Sequence, residues 1–193
     1  ARFTVLSPQM IRMEWSEDGV FEDRASLTFI NRNLPVPEFK VKKAGKKVTI
    51  KTAVVTLTYV DGSGPFDSSN LKVEFLTAGQ KTFWTPGMDD KGNLMGTTRT
   101  LDNVDGRLHT AKDPLEKGLL SRDGWAIVDD TNNYLMDETE WVTPRAKKEN
   151  YLDWYIFAYG HEYKLALADY SKVAGPAPLP PRYTFGYWYS RYW

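Results

Sequence analysis

Short runs of alternating apolar and polar residues, each closed by turn-forming residues, recur through the first third of the chain and limit it to a mainly β fold. Residues 2–7 and 10–15 alternate on either side of Pro8, and residues 27–30 repeat the pattern. Polar turn material at 16–19 and 31–33 separates these runs. Residues 39–43 and 48–52 read as a hairpin turning at 44–46, and further strands follow at 54–60 and 71–76 around a loop at 61–65. Strands of this length at this spacing predict a β-sandwich. Lys40, Lys42 and Lys43 suit an exposed strand face.

The chain has the means to bury such a core. Its 193 residues are 41% hydrophobic and 14% aromatic, which fits one globular domain. The formal net charge is zero, so no electrostatic footprint points to nucleic acid or an acidic membrane. With no cysteine there are no disulfides or thiolate metal sites, and the compartment is left open between bacterial cytoplasm and periplasm. The two histidines, His109 and His161, are far apart, which disfavours a histidine-based metal site; no cofactor is expected. No apolar stretch approaches the roughly 20 residues of a membrane span.

Between residues 85 and 117 the hydrophobic period fades into Gly, Asp, Asn and Thr, the composition of a long functional or disordered segment. Order returns at 118–130, where Trp125 to Val128 read as a buried strand, and again at 153–160, whose apolar character predicts a central strand. Residues 161–174 predict a helix, because Tyr163, Ala166, Leu167, Tyr170, Val173 and Ala174 recur at helical spacing. Gly175 and Pro176 end it, and Gly160-His161 is only a fair start. The divisions expected are a sandwich with its helix over 1–175, a proline-rich linker over 176–182, and a separate aromatic strand over 183–193. That last strand, ending Arg191-Tyr192-Trp193, needs partners on at least one face, and these are expected beyond the chain's last residue.

Few residues carry chemistry on their own. Asp129 and Asp130 are paired carboxylates, but neighbours on a strand point to opposite faces and Asp-Asp before Thr-Asn-Asn also reads as a turn. Arg122 and Asp123 stand in a loop before a buried strand, as site residues or as a surface ion pair. His161 reads as a helix-end residue, since no nucleophile stands near it in sequence. Trp84, Trp125, Trp141 and Trp154 either stack on sugar rings or fill the core.

Taken in order, the segments Gly118-Leu-Leu-Ser-Arg-Asp-Gly-Trp-Ala-Ile-Val-Asp-Asp130, Asp153-Trp-Tyr-Ile-Phe-Ala-Tyr-Gly-His-Glu-Tyr-Lys-Leu-Ala-Leu167 and Pro178-Leu-Pro-Pro-Arg-Tyr-Thr-Phe-Gly-Tyr-Trp-Tyr-Ser-Arg-Tyr-Trp193 closely resemble the amino-terminal region of glycoside hydrolase family 31. Asn93-Leu-Met-Gly-Thr-Thr-Arg-Thr-Leu-Asp102 resembles the stretch before the first of these in bacterial members. The resemblance covers essentially the whole chain; its specificity lies in the ordered set rather than in any single motif.

That family contains α-glucosidases and α-xylosidases, retaining enzymes that hydrolyse O-glycosidic bonds. The resemblance implies a galactose-mutarotase-like β-sandwich followed by a (β/α)8 catalytic barrel, with residues 185–189 as the first barrel strand. It puts the nucleophile and the acid/base aspartates beyond Trp193, so the fragment alone is expected to be inactive and to hold no catalytic residue. It also implies substrate-binding roles for Tyr192, which follows Arg191 at the end of that strand, and for Asp123 beside Arg122 on a loop over the barrel mouth. The expected partners are an α-linked oligosaccharide and the chain's own downstream barrel. The alternative reading is a free-standing, lectin-like carbohydrate-binding sandwich.

Overall fold

The computed structural model describes residues 1–96, 115–146, 149–176, 179–187 and 189. Two antiparallel sheets form the body. A five-stranded meander runs β3 (Lys40–Ala44), β4 (Lys47–Lys51), β5 (Thr56–Val60), β6 (Leu71–Thr77) and β7 (Gln80–Trp84), each strand paired with the next. The second sheet takes strands from both ends of the chain, in the order β1 (Arg2–Val5), β2 (Met10–Ser16), β11 (Tyr151–Phe157), β8 (Ala126–Asp129). A small ribbon pairs β9 (Leu135–Met136) with β10 (Val142–Thr143). This is the β-sandwich that the alternating runs predict.

The core between the sheets follows from strand parity. Leu57, Tyr59, Leu71, Val73 and Phe75 of the meander meet Ile11, Met13 and Ile156 of the other sheet, all of them buried. The hairpin of β3 and β4 turns at Gly45, whose φ of 59° lies in the left-handed region that glycine enters without strain. Sequence alternation does not single out β7, because Gln80 to Trp84 hold only Phe83 and Trp84 as strong apolar residues; it pairs with β6 from Val73 opposite Trp84 to Thr77 opposite Gln80.

The sheet containing β2 and β11 is covered on its other face as well, forming a third layer. Helix α1 (Tyr163–Ala174) buries Ala166 and Val173 there against Phe157 and Tyr159, while Tyr170 packs edge-on to Phe29 and Phe157. The helix thus lies on the sandwich. Leu167, expected in its apolar stripe, is exposed, and Asp169 is buried instead, accepting a hydrogen bond from the Tyr159 hydroxyl at 2.8 Å. No side chain caps its first turn.

Residues 27–30 do not form the expected strand. They belong to an irregular strap joined by the Ser26 bridge to Leu135, and the strap inserts Phe29 flat against Tyr155, with ring centroids 3.5 Å apart. A strap anchored by one aromatic reads locally like a strand, because both place apolar residues at even spacing.

After Pro181 the chain makes a 3-10 turn at Arg182–Phe185. Tyr183, Phe185, Tyr187 and Tyr189 are all more than 70% exposed. None of these described residues pairs with a strand, so the extended conformation expected from residue 183 onward is absent at Tyr183 to Phe185.

Candidate functional site

The long polar segment leaves and re-enters the sandwich through a ribbon. Leu94 N–H donates to the Leu120 carbonyl at 2.8 Å, Gly96 N–H to that of Glu116 at 2.7 Å, and Arg122 N–H to that of Gly92 at 2.8 Å. Asn93 bridges Ser121 as an isolated strand pair. Side chains lock this base: Asp90, buried, accepts from Ser121 Oγ at 2.5 Å and from Asn93 Nδ2 at 2.6 Å, while Asn93 Oδ1 accepts from Gly118 N–H at 2.8 Å. Residues 97–114, between the ribbon's two strands, lie outside the described residues.

Arg122 and Asp123 sit at the end of this ribbon. Asp123 Oδ2 accepts the Gly92 N–H at 3.0 Å, and its Oδ1 has no partner among the described residues. The carboxylate therefore keeps an oxygen free to accept from a hydroxyl. The two side chains do not form the surface ion pair with each other; Arg122 is engaged through its carbonyl, 2.9 Å from His161 Nε2. His161 thus ties the approach to α1 to the loop of Arg122 and Asp123.

The next residue explains the loop's path. Gly124 has a φ of +81° and packs so closely on Thr77 and Gly160 that a Cβ there would collide with the Thr77 hydroxyl. Gly160 N–H donates to the Gly124 carbonyl at 2.9 Å. Two glycines in contact let the site loop lie against β6 and the end of β11.

Asp129 and Asp130 separate as strand parity requires. Asp129 is exposed and accepts the Thr131 N–H at 2.9 Å, the turn reading. Asp130 is fully buried on the opposite face, 3.2 Å from Arg145, where burial first of all raises its pKa. It belongs to an ionic cluster beneath the strap in which Arg2, Arg12 and Arg145 alternate with Glu14, Asp153 and Asp130. Burial and neighbouring carboxylates push the Tyr151 hydroxyl in the same cluster upward. Sequence reading missed this cluster: Arg12 and Glu14 alternate with apolar residues like a solvated face. Every carboxylate in it is matched by a guanidinium, so it reads as architecture.

Trp84, Trp125 and Trp154 converge, with Trp84 6.2 Å from Trp125 and 6.4 Å from Trp154 between ring centroids. Trp141 stands apart and is 74% exposed. Arg191 and Tyr192 lie outside the described residues. Among the described residues no group of three or more His, Cys, Asp or Glu side chains is arranged to hold a metal ion, and no helix is long and apolar enough to cross a membrane.

No family model matches the chain, and no curated protein matches it in sequence. Solved structures do. A glycoside hydrolase family 31 dextranase of Flavobacterium johnsoniae, complexed with glucose, superposes with a TM-score of 0.51 over 96% of this chain at 18% identity. A variant of that dextranase complexed with isomaltotriose gives the same values. The likeness is one of fold, and this chain spans about a quarter (27%) of the length of those enzymes.

Proposed function

We propose that the chain is the non-catalytic, amino-terminal sandwich domain of a family 31 retaining α-glycosidase acting on α-glucosides or α-xylosides. The observation that carries this reading is a fold likeness covering 96% of the chain, in a protein whose ordered motifs resemble the same family. Its work is to support the barrel and to present a substrate loop. Arg122 and Asp123 are the loop residues, and Asp123 Oδ1 is the atom available to accept bonds from sugar hydroxyls. Residues 183–193 begin the barrel, with Tyr192 lining the sugar site at the carboxyl end of its first strand. The two aspartates that form and break the glycosyl-enzyme bond belong to that barrel.

The experiment is steady-state hydrolysis of an aryl α-glucoside and an aryl α-xyloside by the full-length enzyme carrying Asp123→Ala. Loss of one hydroxyl contact raises KM about five- to tenfold with kcat little changed. An unchanged KM on both substrates removes Asp123 from the substrate site. The lectin-like alternative predicts calorimetric binding of malto- or xylo-oligosaccharides by the chain alone together with no release of sugar from any aryl α-glycoside by the full-length protein; hydrolysis by the full-length protein excludes it.

A further inference from the structure

Where β7 and β8, each the last strand of its sheet, come together, the two layers leave a cavity of about 220 Å³. Its walls are Trp84, Trp125 and Trp154 with Met88 and Ile127, and Asp129 stands among them. We propose that this cavity is an accessory binding site for a single neutral pyranose ring, borne by the sandwich itself. The inference is independent of any barrel.

The size is the first argument. The cavity is smaller than the roughly 300–1,000 Å³ of drug-sized ligand sites, and suits one ring with its hydroxyls. Aromatic walls match the apolar C–H face that a pyranose presents, while its edge carries groups that both donate and accept.

The second argument is an unmatched donor beside an unmatched acceptor. Trp154 and Asp129 are direct cross-strand partners in the register of β11 and β8. Trp154 Nε1–H is buried and has no hydrogen-bond partner. Asp129 Oδ1 takes the Thr131 N–H, and Oδ2 has no partner among the described residues. A buried N–H left unpaired costs about 1–3 kcal/mol; Trp154 lines the cavity with Nε1 covered, so the indole has to turn before an entering group can take up that N–H. Once the indole turns Nε1 toward the cavity, one hydroxyl can accept from Trp154 and donate to its cross-strand neighbour Asp129, which neither a purely apolar ligand nor a carboxylate achieves.

Charge gives the third argument. The other polar groups at the rim are already engaged: Asp90 with Ser121 and Asn93, and Lys117 with Asp89 at 2.7 Å. Asp129 is left as an uncompensated negative group, so an anionic ligand is repelled and a neutral polyhydroxylated one is admitted.

The test is a tryptophan-fluorescence titration of the chain with methyl α-glucopyranoside and with isomaltotriose, using sorbitol as a polyol without a ring. Saturable change with both sugars and none with sorbitol is expected. Trp154→Phe keeps the aromatic wall but lacks the N–H, and Asp129→Ala removes the acceptor; each is expected to weaken binding about fivefold or more. Near-ultraviolet circular dichroism checks that each variant is folded. If Trp154→Phe does not fold, Asp129→Ala decides the matter, because Asp129 is exposed at a turn. No saturable response from the parent chain, an equal response to sorbitol, or parental affinity in folded Asp129→Ala overturns the proposal. Aryl α-glycoside hydrolysis by the full-length enzyme is read separately, so failure here leaves the barrel reading standing.

Discussion

Arg12 and Asp153 meet as a buried bidentate pair across the two central strands of one sheet, Nε to Oδ1 at 2.8 Å and Nη2 to Oδ2 at 2.7 Å. Their strands are neighbours in the sheet but come from opposite ends of the chain, 141 residues apart. The pair therefore ties the first strands to the last. Its surroundings are matched: Glu14 lies 3.0 Å from Arg12, and Arg145 lies 3.1 Å from Asp153.

Removing one partner leaves the rest of the cluster charged and buried. Arg12→Met is expected to lower unfolding free energy by about 3–5 kcal/mol, measured by urea denaturation. A loss below about 1 kcal/mol, the range of exposed ion pairs, would show that the cluster is solvated.

Buried phenols set an alkaline limit. Desolvation is the largest cause raising the pKa values of Tyr151, Tyr155 and Tyr159 from the ordinary 10.0. An acid whose folded pKa is raised keeps its stabilising contribution below the unfolded value and loses it as pH climbs beyond that value. Stability is expected to fall above pH 10, with these phenols ionising only as the protein unfolds. Smooth titration of all 11 tyrosines in a chain that keeps its near-ultraviolet dichroism contradicts this.

In acid the sign reverses for Glu22. Hydrogen bonds from the Arg24 side chain lead in holding its carboxyl down to about 2, from the ordinary 4.5. Its contribution is complete above 4.5 and disappears as pH falls toward about 2. Glu22→Gln should therefore separate from the parent in urea midpoint above 4.5 and converge with it near 2. Asp130 opposes this trend, since burial raises its pKa and its contribution declines as pH rises from 3.8. A constant gap between parent and Glu22→Gln across the acid range sinks the assignment.

The strap is held by one aromatic. Phe29 is fully buried and stacks on Tyr155, so Phe29→Ala is expected to cost about 3–5 kcal/mol and to expose the amides of the strap to hydrogen exchange. Unchanged exchange at Ser26 and Leu27, whose N–H groups now bond to Phe29 and Tyr134 carbonyls, argues against that anchor.

Gly124 sets the path of the loop that carries Arg122 and Asp123. Ala at this position must adopt a φ of +81° and push against Thr77, so Gly124→Ala is expected to cost at least about 1–3 kcal/mol. On the substrate role proposed for Asp123, which precedes it, KM for aryl α-glycosides in the full-length protein should rise with the loss of stability. A stable variant with unchanged KM contradicts the role given to this turn.

These particulars show what was legible in the linear sequence. Parity along β2, β5 and β6 assigns Ile11, Leu57 and Val73 to the core, because a period of two survives in the residues themselves. Parity does not say whether the second face is covered. Arg12 and Glu14 therefore pass for solvent-facing residues until the strap and Arg145 are seen above them. Arg122 and Asp123 were legible as loop residues before a buried strand, but the free Asp123 oxygen depends on the Gly92 contact. The meeting of Trp84 with Trp154 unites positions 70 residues apart, a relation no local pattern carries.

The central claim is that this sandwich serves a retaining α-glycosidase, and product stereochemistry tests it most directly. The full-length enzyme should release sugar from an aryl α-glucoside or an aryl α-xyloside, with nuclear magnetic resonance showing the α-anomer as the first product. Absence of hydrolysis on every aryl α-glycoside, or first release of the β-anomer, would contradict it.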